Sequence, residues 1–230
     1  MRQLEELRLK VDNKSMSTKS PDSLNPHINP HINPHINPHS NPHSNPPTNG
    51  QINWLTHYQA LARYNSWMNR KLFELAWDLD DSERRRDLHG FFKSLHGNLN
   101  HILVADTIWL RRLAAHSSDF KSLAAFLDEP ALTQLDHEMF AEFRDLRNER
   151  YRVDGIIEAL VFEDLKISQL GETLHYISTQ GVKNNKALWL VLAHFFNHQT
   201  HHRGQATTLF SQLGVDFGST DLAFMPGQGL

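Results

Sequence analysis

The chain has 230 residues, a formal net charge of −3 and no cysteine. The lack of thiols excludes a disulfide framework, thiolate zinc sites, iron-sulfur ligation and a cysteine nucleophile, so any metal must be held by nitrogen and oxygen. Eight of the ten prolines but only one of the eleven glycines lie in the first fifty residues, which separates a tail, residues 1–50, from a body, residues 51–230, long enough for one domain with a single core.

Residues 25–44 of the tail read NPHI NPHI NPHI NPHS NPHS, with His27, His31, His35, His39 and His43 at a four-residue period. Each proline removes an amide donor and turns the preceding residue away from helix, so a disordered low-complexity tail is expected. A metal-capturing tract is the functional alternative. A tract this regular is also what translation of repetitive DNA upstream of a true start would produce. Beyond the tail, 18 basic and 22 acidic side chains remain once its five Lys and Arg and four Asp and Glu are set aside. That balance gives phosphate backbones no electrostatic footprint, and no nucleic-acid partner is expected. The start lacks the apolar run of a secretory signal, and the most apolar stretch of the body, Ala187 to Phe196, is interrupted by His194 and too short to span a bilayer. A soluble, cytoplasmic protein without a membrane partner is the expectation.

Four helices of about 25 residues are predicted in the body, and hence an all-α four-helix bundle. The first runs to about Trp77, with Trp54, Leu55, Tyr58, Leu61, Ala62, Asn65, Met68, Leu72, Leu75 and Ala76 recurring at three and four. After the charged stretch DLDDSERRRD, the second spans Phe91 to Ala115 on a stripe of Leu95, Leu99, Ile102, Trp109 and Leu113, with Arg111 on the solvated side. The third extends from Leu135 to about Glu163, with Gly155 an interior weakness. ISQLGETLHYISTQG carries β-branched residues and turn signals, which predict a short hairpin or irregular crossover before a fourth helix from about Asn185 to Leu213.

The fourth helix contains LAHFFNHQTHHRGQATTLF, with four histidines within nine residues. At about 100° per residue from His194, the apolar residues occupy an arc of roughly 60° to 160°. His202 falls inside it near 80° and His198 on its shoulder near 40°, while His194 lies at the edge and His201 beyond it. Two imidazoles four apart on one face can share a first-row metal. The first histidine is followed by Gln199 rather than Glu, so the zinc-peptidase mechanism has no general base here. A hydrogen-bonded core pair is the competing account of the same spacing. For a third ligand the second helix offers His96, His101 and Asp106, and rotation does not choose among them.

YNSWMNRKL at Tyr64 to Leu72, GNLNHILVADTIWLRRL at Gly97 to Leu113 and HFFNHQTHHRGQ at His194 to Gln205 together resemble the DinB family of DinB/YfiT-like metalloenzymes. These are four-helix bundles related to thiol-dependent maleylpyruvate isomerases. The resemblance covers about Gln51 to Leu213. It implies a metal bound by His101, His198 and His202, and the family's damage-inducible name implies no DNA chemistry. On the residues' own positions Asp106 is read as a supporting residue, and Gln205, at about 20° on the last helix, as a simple exposed side chain with the orienting of a ligand or bound water as the alternative. Three neutral imidazoles suit zinc, nickel or iron(II) and leave an open position. The expected function is therefore that of a metal-dependent transferase or hydrolase acting on a small molecule, with a low-molecular-weight thiol as the implied co-substrate. A non-catalytic metal-binding or structural bundle is the alternative. The aromatic content allows a homodimer through the first or third helix.

Overall fold

The computed structural model describes residues 53–227; the tail reading falls on residues outside that range. Asn53 opens helix α1, Trp54–Trp77, by accepting the Thr56 amide on its side chain at 3.0 Å, which satisfies one of the four free donors at a helix start. A single helical turn, Asp81–Arg84, follows. Ser94 opens α2, Leu95–His116, in the same way through the Gly97 amide at 3.1 Å. A 3₁₀ segment, Lys121–Leu127, and a loop lead to α3, Phe143–Ala159, which ends in a π-helical turn over Leu160–Asp164. Strands β1, Thr173–Ile177, and β2, Lys183–Ala187, pair antiparallel with Thr173 opposite Ala187, and α4, Leu188–Gln212, starts directly after β2.

The fold is thus an all-α bundle with one small hairpin before the last helix. In it α1 packs against α3 and α4, and α2 packs against α4 and the 3₁₀ segment. Leu72, Phe73, Leu99, Leu103, Phe126, Ile157, Phe195 and Phe210 are among the buried core side chains, each contributing roughly 1.5–3 kcal/mol by leaving water.

Three predicted boundaries move. The second helix begins at Leu95 rather than Phe91, because residues 88–93 form a tight turn in which His89 and Lys93 take left-handed φ values of 59° and 65° and Gly90 bridges to Lys93. The third begins at Phe143 rather than Leu135. The stretch before it is an extended loop whose backbone groups bond to α2: Asn100 receives the Phe140 amide at 3.1 Å and donates to the Phe140 carbonyl at 3.2 Å. The fourth begins at Leu188, since Asn185 to Ala187 belong to β2. Arg111, expected in solvent, instead donates to the carbonyls of Phe126, Leu127 and Glu129 and caps the end of the 3₁₀ segment.

Candidate metal centre

The structure brings His101 of α2 together with His198 and His202 of α4. One nitrogen from each lies within 4.8 Å of the other two, and they form a group that could hold a metal ion. The Nε2 atoms of His101 and His202 are 3.1 Å apart, and those of His202 and His198 are 3.0 Å apart. The i, i+4 spacing places the two α4 rings one above the other, and α2 packs across them to supply the third.

The proton positions follow from the neighbours. His101 donates Nδ1–H to the Leu135 carbonyl at 2.7 Å, and His202 donates Nδ1–H to Gln205 Oε1 at 2.8 Å. A neutral imidazole has one N–H, so both Nε2 atoms carry bare lone pairs. Burial lowers the pKa of His101; burial together with the neighbouring histidines takes His198 down to about 3, and burial and His101 take His202 down to about 4. Two lone pairs therefore face each other at 3.1 Å with no proton to share.

That arrangement is unfavourable by itself and fits a cation. Nitrogens held tetrahedrally at 2.0–2.1 Å from one zinc ion are about 3.4 Å apart, close to the separations here. Bonding of the remote ring nitrogen to a carbonyl or amide oxygen is also the usual way a ligating histidine is oriented. Phe92 from the tight turn stacks on His101 with ring centroids 3.8 Å apart and presents its edge to His202, shielding one side of the pair.

The other residues considered lie elsewhere. Asp106 points away from the cluster and accepts from Arg150 at 2.6 Å and from Gln199 at 2.8 Å. His96 Nε2 meets the Phe140 carbonyl and Glu138, each at 3.0 Å. His194 and His201 are exposed on α4. Gln205 does orient His202, as the sequence allowed.

Beside the histidines runs a buried polar network that the helical stripes concealed. Asn65 and Asn69 of α1 both donate to Asp154 Oδ1 at 2.9 Å, Arg150 lies 2.8 Å from the same oxygen, and Arg203 of α4 bonds to Asn65. Burial pushes Asp154 up to about 6 against the pull of Arg150 and Asn69. The available signal was three polar pairs at i, i+4 on otherwise apolar faces: Asn65 and Asn69, Arg150 and Asp154, Gln199 and Arg203. The Leu135 carbonyl and the Phe92 ring had no such signal, because neither a backbone acceptor nor a residue in an irregular turn shows in periodicity.

Residues 54–228 match the DinB family. The chain is 27% identical over 162 residues to the protein DinB of Bacillus subtilis (strain 168), covering 70% of this chain and 88% of that one. No solved structure matches.

Proposed function

The chain belongs to the DinB family, and from that premise we propose that it is a metal-dependent enzyme whose divalent ion is held by His101, His198 and His202 and whose substrate is a small molecule, with a low-molecular-weight thiol as co-substrate. The carrying observation is the 3.1 Å approach of two proton-free Nε2 atoms, each stripped of its proton by an oxygen acceptor on the far side of its ring. Zinc, nickel and iron(II) suit three neutral imidazoles.

When bound, such an ion supplies Lewis acidity: it polarises a carbonyl, lowers the pKa of water or holds a thiol as thiolate. The protein's own part is positional. Leu135 and Gln205 keep the Nδ1 protons of His101 and His202 in place, which fixes both ring planes. Phe92 excludes water from one face of His101. No carboxylate joins the histidine cluster among the described residues, so the ion's charge is not neutralised by the protein and remains available to an anionic ligand such as a thiolate.

Cobalt(II) substitution of the full-length protein tests this reading. Addition of a small thiol should produce a thiolate-to-metal charge-transfer band, and thiol consumption with an electrophile should depend on metal and stop on chelation. Metal-loaded protein that gives neither signal, with any thiol tried, contradicts the thiol-dependent reading.

A further inference from the structure

The face of α2 that carries His101 continues toward its C-terminal end into a cleft formed with the β1–β2 hairpin and α4. Two cavities of about 390 and 280 Å³ lie there, with Tyr176 lining both. Every ionisable side chain lining them is basic or neutral, Arg111, Arg112 and Lys186 among them, and none is Asp or Glu, although acids outnumber bases in the body.

Arg112 is the centre of this cleft. Its guanidinium lies 4.5 Å over the Trp109 ring and 4.7 Å over the Tyr176 ring, and Nη2 donates to the Ile177 carbonyl at 3.0 Å. No carboxylate of the described residues forms a salt bridge with it. Burial lowers its pKa. A half-buried cation without a counter-ion is costly unless an anion visits it. The rings fix the guanidinium plane and leave N–H groups free, the arrangement that receives a carboxylate in two parallel hydrogen bonds.

The cleft adjoins the histidine cluster. His194 packs against Trp109 at 5.1 Å and against His198 at 5.8 Å between ring centroids. His101 and Arg112 are roughly 16 Å apart along the helix at 1.5 Å per residue, and long helical side chains lean back toward the N-terminus, here over Trp109. The gap is on the order of 10 Å, about the span of an extended tripeptide.

We propose that this cleft holds the carboxylate end of a peptide-sized substrate whose reactive group lies at the three histidines, with Arg112 as the residue that selects it. The inference deepens the metal-dependent reading above and rests on it for the position of the reactive end alone.

The test uses full-length, metal-loaded protein and calorimetric titration with S-methylglutathione, which has carboxylates and no thiol, and with its diethyl ester. Wild type should bind the acid about tenfold more tightly than the ester, and Arg112→Gln should remove that preference. Equal binding of acid and ester by wild type, or a preference kept in Arg112→Gln, overturns the proposal. If Arg112→Gln does not fold, the Arg112 Nε–H resonance of ¹⁵N-labelled wild type decides: it should shift with the acid and not with the ester, and an unmoved resonance overturns the proposal. Glutathione itself separates the two readings. A thiol-dependent gain abolished by His202→Ala supports the metal site, and its absence alongside an Arg112-dependent acid preference counts against the thiol reading alone.

Discussion

His202 and Gln205 sit one turn apart on α4, and the Gln205 Oε1 takes the His202 Nδ1 proton at 2.8 Å. The same helical turn therefore supplies an Nε2 lone pair of the histidine cluster and the acceptor that exposes it. Replacing Gln205 by Leu should weaken metal binding by about 10- to 100-fold, the usual cost of losing such an orienting group. Gln205→Glu, which keeps an acceptor, should retain affinity. Competition with a chelator of known affinity measures both.

Arg150 is completely buried between two carboxylates, 2.6 Å from Asp106 and 2.8 Å from Asp154. Arg150→Met leaves both carboxylates buried beside an apolar side chain. The variant should lose about 3–5 kcal/mol of stability, the range for breaking a buried ion pair from one side. Denaturant unfolding checks this, and a loss below about 1 kcal/mol would mean that water or rearrangement compensates.

Two helical glycines should respond in opposite directions to alanine. A Cβ on Gly97 would clash with the Phe92 carbonyl oxygen, where the tight turn meets the start of α2. Gly97→Ala should destabilise by about 1–3 kcal/mol despite alanine's higher helix propensity. A Cβ on Gly155, inside α3, meets nothing within 4 Å. Gly155→Ala should stabilise by about 0.5–1 kcal/mol. Thermal unfolding of the two variants reads both signs.

Lowered histidine pKa values fix a pH dependence for the metal-free protein. With His198 at about 3 and His202 at about 4 in the fold, against about 6.5 when unfolded, the unfolded chain binds more protons throughout the window between. Stability is fully present above pH 6.5 and falls as the pH drops toward 4. The melting temperature of chelator-treated protein should accordingly decrease from pH 7 to pH 5, and His198→Asn should flatten the slope.

Periodicity made the four helices legible, and the end of α1 at Trp77 and the hairpin after α3 were both readable because each is local. Errors gathered where backbone geometry overrides a stripe. Phe91 and Leu135 continue the apolar pattern on paper, but the left-handed His89 and Lys93 and the carbonyl contacts of the loop hold those stretches outside any helix. Rotation identified His198 and His202 because both share one helix. It could not choose His101 over Asp106, since that choice depends on how α2 packs against α4 and on Arg150 drawing the carboxylate away from the histidines. The resemblance pointed to His101, and the structure places His101 in one group with His198 and His202.

The most direct measurement is elemental analysis of dialysed full-length protein as wild type, His202→Ala and His201→Ala, with the tail histidines common to all three. The account predicts that His202→Ala loses one equivalent of divalent metal while His201→Ala, altered on the exposed side of the same helix, keeps it. Equal metal content in all three proteins would contradict a centre built on His101, His198 and His202.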